Sequence, residues 1–253
     1  MSSRSESKQA AREAREAAEQ EAAGKARRQR IWAIVGGSVL LAAVVVVALI
    51  LLSSSDSDNG GSTGDAAVFE GVPQRGIALG DPDAPVTMVE FADMQCPFCR
   101  DYTQDVLPDL VEKYVKSGDL RMELNLLTFI GPDSESLARA AYAASEEDGM
   151  WQFTDIAYAR QGTENSGFAD QAFIDSVSEA AGLDPDQINS ASGSEAVTRQ
   201  IADASTAAQD AGVSSTPSFQ IGPTGGELTT LDVAQLETSQ FEDAIDQELA
   251  AAK

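Results

Sequence analysis

Both cysteines of this 253-residue chain fall in one tetrapeptide, Cys96-Pro97-Phe98-Cys99, and the chain has no histidine. A structural zinc site takes about four Cys or His ligands in a tetrahedral shell; one copy of this chain offers two. Carboxylates would complete that shell only in an unusual way. A disulfide between residues this close staples very little chain, so a purely structural bond makes poor sense. What remains is a dithiol that opens and closes, the redox reading of C-x-x-C. An inert disulfide and metal capture across a dimer are the competing readings.

Redox work needs one sulfur that ionises readily and a second that can displace whatever attaches to the first. A cysteine at the first turn of a helix faces unpaired backbone N–H groups and the positive end of the helix dipole, and both favour thiolate. Cys96 takes that place if a helix begins at Pro97, a residue tolerated there because its missing N–H is not needed. Cys99, one turn inside, can approach Cys96. Cys96 is therefore expected as the exposed attacker and Cys99 as the more buried resolver. Glu90 lies six residues before Cys96 in an apolar run. A buried carboxylate is costly without a partner or a task, and here the task would be to take up or relay the proton of Cys99. The alternative is that the strand's end leaves Glu90 partly wet and idle.

The elements that must position these groups alternate in type. Residues 76–79 read as a short edge strand, and residues 86–92 (VTMVEFA) as a central strand buried on both faces. From Phe98 to Lys116 the pattern is helical, with Tyr102, Val106, Leu110 and Tyr114 at four-residue spacing, a bend at Pro108 and an end at Gly118. Leu120–Phe129 reads as a strand. An Ala-rich stretch to Gly212 reads as four helices with breaks near 162–167, 183–185 and 192–193. Ser218–Ile221 and Glu227–Leu231 form a predicted hairpin, followed by a helix over Thr238–Ala250. The fold class is α/β. Trp151, Phe153 and Tyr158 are expected as a cap packed on the core, with Arg139 and Arg160 solvated or paired. Met94 and Gln95, just before Cys96, would edge the site, although a methionine there is more often core.

Ahead of this lies a segment of different character. Residues 31–52 carry no charge and follow the basic run Lys25–Arg30. At about 1.5 Å per helical residue the segment reaches about 33 Å, enough to cross a hydrocarbon core of about 30 Å. The reading is a charged cytoplasmic tail over 1–30, a transmembrane helix over 31–52, a Ser/Gly/Asp linker over 53–66 and an outer domain over 67–253. A cleaved signal peptide is the rival, but its apolar core and basic leader would both be shorter. Residues 1–52 hold 8 Lys/Arg and 5 Asp/Glu, leaving 9 and 36 for the rest, so the outer part is near −27 of a total of −24. Such a surface repels nucleic acid and anionic lipid. The outer compartment is one where disulfides persist.

The segments VTMVEFADMQCPFC, LPDLVEKY and GVSSTPSF together resemble the DsbA-like branch of the thioredoxin superfamily. The resemblance spans residues 74–250 and implies a thioredoxin fold with an inserted helical subdomain at about 133–212. It implies Cys96 and Cys99 as the redox pair and Glu90 as the buried acid. On its residues alone, Pro217 is an ordinary trans proline opening an edge strand; the resemblance implies instead a cis-proline whose loop packs against the disulfide. There Thr216 and Pro217 would present backbone to an extended substrate strand, beside Pro97 and Phe98. The single anchor resembles membrane-tethered forms in Gram-positive bacteria.

Together these imply a thiol–disulfide oxidoreductase outside the cell membrane, acting on reduced or misoxidised exported proteins. A membrane partner of the DsbB or vitamin-K-epoxide-reductase type would reoxidise it, and no bound cofactor is required. The alternatives are a reductase or isomerase fed from the membrane, and a non-catalytic thioredoxin-fold binding module. One departure stands out. The strongly oxidising DsbA proteins carry histidine between their cysteines, whereas this chain has Phe98, so the thiolate is expected to be less stabilised and the potential milder.

Overall fold

A computed structural model of the chain describes residues 66–252. The segments 1–30 and 31–52 and nearly all of the linker lie outside the described residues. Among the described residues no helix is long and apolar enough to cross a membrane.

The described part opens with a 3₁₀ turn at Ala66–Phe69 and two short strands, β1 (Gln74–Arg75) and β2 (Ala78–Leu79). Then come β3 (Val86–Asp93), α1 (Pro97–Asp105), α2 (Leu107–Leu110), a π turn (Val111–Val115) and β4 (Leu120–Leu127). Five helices follow: α3 (Pro132–Ser145), α4 (Met150–Ala159), α5 (Gln171–Ala180), α6 (Pro185–Ser192) and α7 (Glu195–Asp210). The hairpin β5 (Ser218–Pro223) and β6 (Thr229–Leu231) and the helix α8 (Thr238–Ala251) complete the order.

The six strands form one sheet in the order β1-β2-β4-β3-β5-β6, parallel only between β3 and β4. β3 is central and all eight of its residues are buried, which is why its run reads as almost continuously apolar. Side chains alternate across a strand, so Glu90 shares a face with Met88 and Ala92. Its cross-strand neighbours are Leu124 on β4 and Phe219 on β5. Tyr102 of α1 packs ring to ring with Phe219 at 4.7 Å and with Phe241 of α8 at 5.1 Å. Such aromatic pairs add about 0.5–1.5 kcal/mol each beyond their area burial. They seat α1, and with it the cysteine pair, on the Glu90 face of the sheet.

Several elements depart from their sequence expectation. Of the strand expected at 76–79 only Ala78–Leu79 forms, after a turn at 76–77, and β1 rather than β2 forms the sheet edge. The helix expected over Phe98–Lys116 is interrupted at Val106, two residues before Pro108. Proline removes the N–H that would bond the Gln104 carbonyl, and its ring crowds that carbonyl. Gly118 ends the segment as expected, at φ +81°. The insert has five helices where four were expected. The additional boundary falls at Asp148, which adopts φ +55°, and at Gly149, whose N–H bonds back to the Ala144 carbonyl at 2.9 Å. Asp is one of the few non-glycine residues that tolerate this conformation, and an Asp-Gly pair inside an Ala-rich stretch hides such a stop.

Trp151, Phe153 and Tyr158 are buried, as expected of a cap packed on the core. The Trp151 indole N–H donates to the Ile77 carbonyl at 3.3 Å, joining α4 to the β1–β2 turn.

Candidate active site

The C-terminal end of β3 delivers the chain to Cys96, the N-cap of α1, with Pro97 as the first helical residue. The two sulfurs are in the thiol state, with no bond between them. The Cys96 thiol donates to the Thr216 carbonyl at 3.3 Å, bringing the residue before Pro217 against the sulfur. The Thr216–Pro217 bond is cis. The pKa of Cys96 is pulled from the ordinary 9.0 down to about 6. The largest cause is the Cys99 thiol donating to it; burial opposes this, while the Thr216 side chain and the N–H groups of Cys99 and Phe98 add to it. Cys99 moves the other way. Burial, then its bond to Cys96 and the charges of Cys96 and Glu90, hold its thiol well above the usual range.

One expectation needs correction. Cys96 was to be the exposed attacker, yet only 5% of it is accessible, against 0% for Cys99. The ranking of the two sulfurs holds, but the Thr216 carbonyl and the Cys99 thiol cover most of the first one. Exposure at the site belongs instead to Phe98, at 62%, with Pro97 half-buried. Phe98 and Phe129, at 54%, are the large hydrophobic residues exposed among those described.

Glu90 is 2% exposed, so it is not the partly wet strand-end residue of the alternative reading. Its carboxyl pKa rises from 4.5 to about 8, first through loss of water and then through the charge on Cys96. Its Oε1 has no hydrogen-bond partner among the described residues, and neither has the buried Tyr102 hydroxyl. Around neutral pH the group is a neutral acid near the cysteine pair, and its charge would act on both sulfurs.

A polar bracket holds the loop from the other side. The buried Asp93 carboxylate accepts four hydrogen bonds, through Oδ1 from the Gln95 N–H (2.9 Å) and the Ser134 hydroxyl (2.6 Å). Through Oδ2 it accepts from the Phe129 and Ile130 N–H groups, at 2.8 and 3.1 Å. The Gln95 side chain donates to Ser134 Oγ at 2.9 Å and accepts from the Asn165 N–H at 2.6 Å. Asn165 in turn lies over Gly131, where a Cβ would collide with its side-chain amide. The Tyr158 hydroxyl donates to the Asp93 carbonyl at 3.0 Å, and Gln161 donates to the carbonyls of Met94 and Cys96 at 3.0 and 3.1 Å.

Comparison with known proteins agrees with this fold. The sequence profile of the family described as thioredoxin matches residues 73–246. The chain belongs to the thioredoxin family. Over 86 residues it is 41% identical to a probable disulfide bond formation protein D of Bacillus cereus, covering 33% of this chain and 40% of that relative. Among solved structures, oxidised BdbD from Bacillus subtilis is similar at a TM-score of 0.61 and 21% identity, over 71% of this chain and 97% of that one. A thioredoxin-like oxidoreductase from Silicibacter pomeroyi is similar at a TM-score of 0.55 and 28% identity, over 72% and 95%.

Within this thioredoxin-family domain, Glu90, Cys96, Pro97, Phe98, Cys99, Thr216 and Pro217 lie at or beneath the end of β3. Met94 is buried core, and Gln95 is buried in the polar bracket. Arg139 pairs with Glu135 at 2.9 Å, and Arg160 donates to the Ser176 carbonyl at 3.1 Å. Sequence reading missed Asp93, Ser134, Gln161 and Asn165. Asp93 carried a usable signal, a second acid on a strand buried throughout. The other three sit 38 to 69 residues beyond Cys96 in segments readable only as helix starts or breaks.

Proposed function

We propose that this chain is a DsbA-like thiol–disulfide oxidoreductase, tethered by residues 31–52 with its thioredoxin-family domain outside the cell membrane, and that it forms disulfides in exported proteins. The observation that carries this is the opposed ionisation of two sulfurs one helical turn apart: Cys96 lowered to about 6, and Cys99 buried and raised. A sulfur that is a stable thiolate is a good leaving group, and a reduced form stabilised in this way makes the disulfide an oxidant.

In the oxidising direction a substrate thiolate attacks the Cys96 sulfur of the Cys96–Cys99 disulfide. The S–S bond breaks, and its electrons leave on Cys99, which takes a proton because its pKa is high. Glu90, neutral to about pH 8, is placed to supply that proton. A second substrate thiolate then attacks the substrate sulfur of the mixed disulfide and expels Cys96 as thiolate. Substrate has lost two electrons and the enzyme has gained them. A membrane partner of the DsbB or vitamin-K-epoxide-reductase type takes these electrons and restores the disulfide. The low exposure of Cys96 favours a substrate that lies extended along the Thr216–Pro217 edge over a bulky folded one.

The test is oxidative refolding of a reduced, unfolded disulfide protein with the purified full chain. Wild type accelerates refolding and Cys96→Ser reduces the rate to background. Unchanged refolding by Cys96→Ser would remove the enzymatic reading.

A further inference from the structure

The four residues that lead into the helix carrying the cysteines, Asp93 to Cys96, are each gripped from the helical insert. Tyr158 holds the carbonyl of Asp93, Ser134 and Asn165 hold the side chain of Gln95, and Gln161 alone holds two carbonyls, those of Met94 and Cys96. One side-chain amide carries two N–H donors, so Gln161 can make both bonds at once. Its own anchor is firm. It lies two residues past α4, its backbone N–H bonds to the Tyr158 carbonyl at 3.0 Å, and α4 packs along α1.

The Cys96 carbonyl is the first acceptor of α1, receiving the Arg100 N–H at 3.2 Å. Gln161 supplies its second donor from outside the helix. The carbonyl is thereby pinned between the helix and the insert, at the head of the first turn of α1 that carries the next two N–H groups. Those N–H groups, on Phe98 and Cys99, are among the donors that act on the Cys96 sulfur. We propose that Gln161 is a positioning residue for the Cys96 nucleophile: by tying the Met94 and Cys96 carbonyls to the helical insert, it holds the sulfur over the N–H groups of Phe98 and Cys99.

The inference rests on Cys96 being the exchanging sulfur and adds a control point on the insert. Without Gln161 the Met94 and Cys96 carbonyls lose their outside donor, the loop relaxes, and the N–H groups no longer converge on the sulfur. The thiolate loses support while every cysteine remains in place.

The experiment measures the rate of Cys96 alkylation against pH in the reduced full chain, with the labelled cysteine identified by peptide mass. Gln161→Leu keeps the size and removes both donors. Its Cys96 midpoint is expected to rise by about half a pH unit or more, about a threefold loss of thiolate at fixed pH below the midpoint. The equilibrium with glutathione is expected to move toward the oxidised form by a similar factor. Gln161→Glu, close in shape but an acceptor beside two carbonyls, is expected to raise the midpoint at least as far, and it serves if the leucine variant does not fold. Arg160→Ala disturbs the neighbouring residue, which donates to the Ser176 carbonyl, and is expected to leave the midpoint in place. A wild-type midpoint in both Gln161 variants, or an equal shift in Arg160→Ala, overturns the positioning role. These results are independent of refolding activity: if Cys96→Ser still refolds substrate, the oxidoreductase reading fails, while the alkylation midpoints still decide whether Gln161 positions the sulfur.

Discussion

The Cys96 sulfur and the Thr216 carbonyl oxygen meet at 3.3 Å across 120 residues of sequence. The carbonyl accepts from the thiol and opposes the thiolate, whereas the Thr216 side chain favours the thiolate. One residue therefore acts on both sides of the Cys96 equilibrium, beside the larger contribution of Cys99. Thr216→Val keeps the β-branched shape and the carbonyl but removes the hydroxyl. Its Cys96 midpoint is expected to rise by about 0.5–1 unit, a three- to tenfold loss of thiolate. Alkylation rate against pH measures it directly. An unchanged midpoint would leave the remaining lowering to Cys99 and the two backbone N–H groups.

Glu90 holds its proton in the folded chain up to about pH 8, against an ordinary value of 4.5. Between these values the folded state binds more protons than the unfolded one, so stability falls as pH rises. This contribution is fully present below about 4.5 and is lost as pH climbs through about 8. Glu90→Gln replaces the neutral acid by a neutral amide and removes the dependence. At pH 8 the reduced variant is expected to exceed wild type by on the order of 3 kcal/mol, with the gap closing toward pH 5. Urea unfolding at the two pH values checks this, and a gap of equal size at both would mean that Glu90 does not titrate in this window.

Asp93 is the hub of the bracket, with each oxygen receiving two donors. Asn at this position keeps one oxygen and turns an NH₂ group toward two of these donors. Asp93→Asn is expected to destabilise the fold by about 2–4 kcal/mol in urea unfolding at pH 7. It should also slow exchange, because the same carboxylate fixes Gln95 beside Cys96. A loss under about 1 kcal/mol would mean that the bracket relaxes around the amide.

What the chain disclosed of itself followed the range of the interactions. β3, the hairpin and α8 were legible because their periodicity and turn residues are local. The bend near Pro108 was legible from the proline itself, whereas the stop at Asp148 was not, since an Asp-Gly pair inside an Ala-rich stretch carries little breaker signal. At the site, the cysteine spacing and the placement of Cys96 at a helix start are properties of a few adjacent residues. Its low exposure is not, because the covering Thr216 carbonyl arrives from 120 residues away. Separation in sequence also hid Gln161 and Asn165, 65 and 69 residues past Cys96, whose amides have no pattern in sequence and acquire a partner only when the insert folds back on the loop.

Phe98 puts an uncharged ring between the two cysteines. The thiolate here rests on hydrogen bonds and the helix start, giving about 6, with no cation between the cysteines. Comparable sites span about 7 in thioredoxin to about 3.5 in DsbA, and their potentials run from about −270 to about −120 mV. The Cys96–Cys99 couple is therefore expected between these two potentials, measured by equilibration of the full chain with glutathione buffers. Phe98 is 62% exposed, so an imidazole can replace its ring without disturbing the core. Below about pH 6.5 the imidazole of Phe98→His is protonated and adds a positive charge beside the sulfur. The Cys96 midpoint is then expected to fall by about one unit and the potential to rise by about 30 mV, since tenfold in a two-electron equilibrium is about 30 mV. If both quantities stay at the wild-type values, the residue between the cysteines does not tune this couple, and its control lies with Thr216 and the loop beneath.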